Sequence, residues 1–307
     1  MITSIFSKSK PINFLIVFSL SLLALLIATN KYSNIALNTT SVFKLIAVFA
    51  CCFLSILLVD FIVTKNSLSQ KGNTEVLLFS IFLLTVPQVF LKWEVVLSNF
   101  LVLLALRRII SLRTQKEHIK KLFDAGFLIG LASLFYFWSL LFFILIFIAL
   151  IFYSESEIKK WITPFLGLLA IIILSISTSI IIKHDFFSYL SINPKVGFNF
   201  TVYNSIQFIV AITVLLSFGL WSSLFYLKDI NKKKKTFRPS YKVIFMACVV
   251  ASLIVIISPK KNGSEFLFLF GPLTIIFSNY IETIEEKWFK TLFVVLLLIV
   301  PVVLLML

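Results

Sequence analysis

Charge is scarce in this chain, and negative charge is scarcest. Charged residues make up 13% of 307, and Asp and Glu number 13 against 28 Lys and Arg. A soluble globular chain carries roughly 25% charged residues, so composition argues against a soluble fold. Cysteine is almost missing too. Cys51, Cys52 and Cys248 all fall inside apolar runs, where they read as small packing residues rather than disulfide partners or metal ligands. Histidine occurs only at His118 and His184, too few ligands for tetrahedral zinc. No Gly-rich phosphate loop, serine nucleophile elbow or HExxH pattern occurs. No matched pair of Gly/Pro-broken spans marks an inverted-repeat transporter.

What the chain has instead is apolar sequence, 60% by residue, in repeated runs long enough to cross a hydrocarbon core of about 30 Å. The formal charge of +15 then has a cheaper explanation than nucleic acid, because cytoplasmic loops of membrane proteins collect Lys and Arg. Nucleic acid is set aside as a partner, and anionic lipid head groups fit better. The expected fold is all-α: one integral membrane domain over residues 1–307, a polytopic transmembrane bundle of about eleven helices. The first run, Ile12 to Thr29, lacks a clear small-x-small cleavage site and reads as a retained helix.

Further spans are expected at Lys44–Val63, Glu75–Phe90 with Pro87 inside it, and Val95–Ser111, which closes on Arg107 and Arg108. The block Leu122–Tyr153 decides the topology. As a single helix it would be about 48 Å long at about 1.5 Å per residue, well beyond the hydrocarbon thickness. A single crossing would also place the tetralysine run Lys232–Lys235 outside. Two crossings, hinged near Tyr136 to Ser139, leave only Lys31, Lys44, Lys92, Lys183, Lys195, Lys260 and Lys261 outside when the N-terminus is inside. Later spans follow at Trp161–Ile182, Asn204–Leu227, Val243–Ser258, Glu265–Ile281 and Thr291–Leu307.

The stretch Val95–Tyr153 resembles the GT-C superfamily of membrane glycosyltransferases. There, a helix ending in basic residues is followed by a cytoplasmic loop, a small-residue motif and a tight return helix. The motif stands here as Asp124-Ala125-Gly126-Phe127-Leu128-Ile129-Gly130-Leu131-Ala132-Ser133. The turn Pro259-Lys260-Lys261, leading into a helix that contains Pro272, is similar to the C-terminal part of that superfamily. The chain is also similar to an uncharacterised family of bacterial polytopic membrane proteins.

The resemblance implies transfer of a sugar from a polyprenyl-phosphate donor at the outer face of the bacterial inner (cytoplasmic) membrane. An outer carboxylate would act as general base or hold a divalent metal, the one cofactor implied, and lysines would hold the lipid phosphate. One departure matters. The first outer loop, where the superfamily places its principal acid, has neither Asp nor Glu between Asn30 and Phe43. That departure favours the alternative of a catalytically inactive GT-C-like scaffold, an accessory subunit of a secretion or envelope-biogenesis complex.

Three acids face outside in this topology: Glu94, Asp185 and Glu265. Glu94 is a candidate base, or simply an acid favoured in the first turn of a helix. The neighbours His184 and Asp185 suggest acid–base work, or a solvated loop pair. Lys92, Lys195, Lys260 and Lys261 are the candidate phosphate and lipid contacts, or interfacial snorkelling lysines. Asp60 is an intramembrane acid and would be the coupling residue of a small-solute transporter, or an interfacial acid satisfied near Lys65.

Overall fold

The computed structural model describes residues 6, 9–32, 39–69, 72–155, 157–184, 186, 195–259 and 261–306. Among them the chain is mostly helical, with no strand. The eleven α-helices are α1 (Pro11–Tyr32), α2 (Thr39–Asn66), α3 (Thr74–Thr85), α4 (Trp93–Ile110), α5 (His118–Phe135), α6 (Phe142–Phe152), α7 (Ile158–Lys183), α8 (Ile206–Ile230), α9 (Arg238–Ile257), α10 (Leu267–Thr283) and α11 (Lys287–Met306). Eight of these segments are long and apolar enough to cross a membrane. The other three, α3, α5 and α6, fall short. α3 has 12 residues and α6 has 11, and the first two turns of α5 carry His118, Lys120, Lys121 and Asp124.

The expected span Glu75–Phe90 is corrected. Its helix stops at Thr85, and residues Pro87–Leu91 form a separate 3-10 turn. Pro87 has no N–H to continue the ladder and drives the preceding Val86 out of the helical region. Both pieces are almost wholly buried.

α10 is the centre of the bundle. Nearly every residue from Leu267 to Ile281 is buried, against α2, α3, α4, α8 and α9. Its Phe270 meets Phe79 and Phe82 of α3 at ring distances of 6.0 and 5.5 Å, and its Phe277 meets Phe82 at 5.5 Å. The outer helices α1, α7, α8 and α11 instead expose apolar faces, among them Leu15, Ile173, Leu220 and Val302. An apolar surface this wide is built to face lipid or another chain, not water.

The block Leu122–Tyr153 reverses where charge placed the reversal. α5 ends at Phe135, Tyr136 is extended (φ −143°, ψ 104°), and residues Phe137–Leu141 turn into α6. The bundle therefore has two recognisable ends. At the Trp93 end lie the start of α4, the Tyr136 reversal and the turn from α9 to α10. At the Arg107 end, the Arg113 guanidinium stacks on Phe237, 4.1 Å from the ring. That contact joins the loop before α5 to the loop containing the tetralysine run.

The small-residue motif has a packing reason. A Cβ on Gly126 would lie 2.2 Å from the Pro164 carbonyl oxygen of α7, and one on Gly167 of α7 would lie 2.4 Å from the Phe123 carbonyl oxygen. Missing side chains let α5 and α7 touch backbone to backbone.

Candidate functional site

The Trp93 end collects most of the residues that chemistry at the outer face would need. Lys92 occupies the capping position before α4 and is exposed. Glu94, in the first turn of α4, is half-buried and has no hydrogen-bond or ion-pair partner among the described residues. Lys44 of α2 lies over the Trp93 ring at 5.6 Å, and Trp93 meets Phe135 of α5 edge-on at 6.0 Å.

Behind this edge lies a buried polar network on the turn from α9 to α10. The ammonium of Lys261 donates to the carbonyl oxygens of Val255 (2.9 Å), Ile256 (2.7 Å) and Ser258 (3.3 Å). These carbonyls lie at the C-terminal end of α9, where the last turn of a helix leaves acceptors unpaired and favours a cation. The Phe200 ring covers the same ammonium at 4.4 Å. Burial lowers the proton affinity of Lys261, and the nearby Glu265 carboxylate partly offsets that.

Glu265 is itself buried. Its Oε1 accepts a hydrogen bond from the Tyr203 hydroxyl, and its Oε2 accepts one from the Asn262 N–H at 3.4 Å. Burial first, and then the Glu265 charge, raise the Tyr203 phenol above its ordinary range. The Tyr136 hydroxyl at the reversal donates to Ser258 Oγ at 2.7 Å. One network thus ties the reversal, the loop before α8 and the α9–α10 turn together.

Of the other candidates, two are exposed and two lie outside the described residues. His184 is exposed and closes α7 in a left-handed conformation (φ 54°), its N–H bonded to the Ile180 carbonyl oxygen. Lys195 is exposed, two residues before Gly197, whose N–H bonds to the Ile257 carbonyl oxygen at 3.1 Å. Asp185 and Lys260 lie outside the described residues. No group of three or more His, Cys, Asp or Glu is arranged to hold a metal ion among the described residues. A groove of about 300 Å³ lies between α8 and α11, lined by Phe218, Trp221, Phe289 and Phe293 among others, and none of the candidate residues borders it.

Asp60 is not satisfied by Lys65, which points over the Phe61 ring at 5.1 Å. Its partner is Asn73, whose Nδ2 donates to Asp60 Oδ1 at 2.7 Å. Sequence reading counted Glu265 among the outer acids and did not single it out. It names Tyr136 only as a hinge and gives Tyr203 no role. The available signal is an acid at the head of an apolar helix, four residues after a pair of lysines.

These features define a helical protein with apolar, membrane-type spans, whose buried Lys261–Glu265 network lies at one end of the bundle. The chain belongs to a family of unknown function, DUF6427, whose profile matches residues 1–307. No curated protein and no solved structure matches it.

Proposed function

We propose that the protein is a GT-C-like scaffold of the bacterial inner membrane, without transferase activity of its own, that serves as an accessory subunit of a larger envelope assembly. The N-terminus and the basic loops face the cytoplasm, and the Trp93 end faces outward. The observation that carries this reading is that the buried charges of the Trp93 end are already engaged by groups of the chain itself. Lys261, which a phosphate would need, has its three ammonium protons on three backbone carbonyls. Glu265 is held by Tyr203 and by the Asn262 N–H. Such a network rigidifies the end of a bundle and leaves little to bind a donor. The apolar faces of α1, α7, α8 and α11 are the surface available to partner subunits.

A specific observation favours a second reading. Glu94 is half-buried, lacks a partner among the described residues and sits beside the exposed Lys92, as a base next to a phosphate contact would. In that case the protein transfers a sugar from a polyprenyl-phosphate donor. Complementation of a deletion strain separates the two. A scaffold keeps full function with Glu94→Gln and with Lys92→Gln, and it is recovered from mild detergent with stoichiometric partner chains. Loss of function in Glu94→Gln at normal protein levels, or recovery of the chain always alone, counts against the scaffold.

A further inference from the structure

The groove between α8 and α11 takes no part in the candidate site, and its walls define what fits it. It holds about 300 Å³. On α11 it is lined by Phe289, Leu292, Phe293 and Leu296, a spacing that puts all four on one face of a helix. The slot therefore runs along the helix axes. Phe218 of α8 meets Phe293 at its floor, with ring centroids 4.9 Å apart, and Trp221, Leu292 and Leu296 are exposed along it. The polar atoms of its lining side chains are already used. The Trp221 N–H donates to the Tyr280 hydroxyl at 2.6 Å, and the Ser217 hydroxyl donates to the Val214 carbonyl oxygen at 3.3 Å. Both helices are long and apolar enough to cross a membrane, so the slot lies at the depth of acyl chains.

One mouth of the slot is basic. The end of α8 and the start of α11 share the Arg107 end: α8 leads into the loop whose Phe237 stacks on Arg113, and Tyr280, one turn before the end of α10, meets Phe225 of α8 at 5.2 Å. A ladder of side chains leads from the slot to that end. Trp221 and Phe225 lie 5.2 Å apart, and the Lys228 ammonium lies over the Phe225 ring at 5.7 Å. Four and seven residues apart, the three stand on one face of α8. On α11, Lys287 and Lys290 flank Phe289 in the first turn. The acids nearby do not cancel these cations. Asp229 is taken by Lys232 and Lys233, at 3.7 and 2.9 Å, and Glu285 and Glu286 lie in the connection before α11. Against these three acids, residues 228–235 and 285–290 carry seven lysines.

We propose that this slot binds an anionic phospholipid, with one acyl chain between α8 and α11 and the head-group phosphate at Lys228 and Lys290. Apolar walls with cations only at the mouth match a molecule that is apolar along its length and negative at one end. The chain gains close contacts inside the slot that a smooth helix face does not offer, and the lysines select the head group. Nothing in this inference depends on the chemistry of the Trp93 end, nor on which end of the bundle faces the cytoplasm.

Fluorescence quenching in reconstituted vesicles tests it. The full chain is placed in phosphatidylcholine vesicles that carry a rising fraction of chain-brominated phosphatidylglycerol or of chain-brominated phosphatidylcholine. The Trp221 signal is the wild-type emission less that of Trp221→Phe. Half-quenching of that signal should need about fivefold less of the brominated phosphatidylglycerol, the factor that one lysine contributes beside an anionic head group. Lys228→Gln combined with Lys290→Gln should remove the difference and leave Trp221 open to both lipids. Lys116→Gln, in the loop before α5, should keep the difference. Where Trp221→Phe does not fold, the same comparison is read from native mass spectra of the wild type, which should retain phosphatidylglycerol in preference to phosphatidylcholine. Equal quenching or equal retention of the two lipids by the wild type overturns the proposal, whether or not the lysine variants fold. So does a Trp221 signal that neither lipid quenches, as when another chain covers the slot. A preference that survives the double substitution, or one that Lys116→Gln abolishes, overturns it as well.

Discussion

Lys261 caps a helix with a side chain that sequence alone assigns to a ligand. Its ammonium completes the C-terminal turn of α9, so Lys261→Met should leave three buried carbonyls without a donor. The expected loss is about 2–3 kcal/mol, the range for hydrogen bonds made by a charged group, read as a fall in Tm of the purified protein. Burial also makes the folded protein hold this proton less tightly than the unfolded chain does. Stability should therefore rise with pH between the lowered folded value and the ordinary lysine value, and that slope should disappear in Lys261→Met. Tyr203 and Glu265 form the second half of the network. Tyr203→Phe and Glu265→Gln should be non-additive, with a coupling of about 1–3 kcal/mol in a double-mutant cycle. None of this pairing was legible in the sequence, because Tyr203 and Glu265 are brought together by the loop before α8, and periodicity carries no signal for it. The placement of Lys92 and Glu94 at an end of the bundle was legible, since both stand at the head of an apolar helix.

Among the elements, α5 and α7 show how much packing a sequence motif can disclose. The run from Ala125 to Ser133 reads as small residues at helical spacing, and the structure uses it as a contact face. Gly126→Val should force the Pro164 carbonyl away and cost at least about 2 kcal/mol through overpacking. Gly130→Ala, whose Cβ would meet Ile171 at 3.4 Å, should be nearly neutral. The comparison is made by denaturation or by yield of folded protein in detergent. Breaks between elements were less evenly legible. The stop before Pro87 follows from proline, but the sequence reading carried the helix through it. The stop at Tyr136 has neither proline nor glycine behind it, since Phe135-Tyr136-Phe137-Trp138 has no helix breaker. Charge bookkeeping located it, and the bond from Tyr136 to Ser258 supplies the tertiary reason.

For the molecule as a whole, every assignment to an outer or inner face follows from that one reversal. It brings the loop before α5 and the tetralysine loop to the same end, where Arg113 stacks on Phe237. It puts Lys92, Glu94 and the Lys261 network at the other. The direction of the bundle across the membrane comes from the positive-inside bias. Cysteine labelling of intact cells with a membrane-impermeant maleimide tests this most directly, using Lys92→Cys and Lys234→Cys in a background lacking Cys51, Cys52 and Cys248. The account predicts that Lys92→Cys is labelled from outside and Lys234→Cys only after the membrane is opened. Labelling of Lys234→Cys in intact cells, with Lys92→Cys protected, would contradict it.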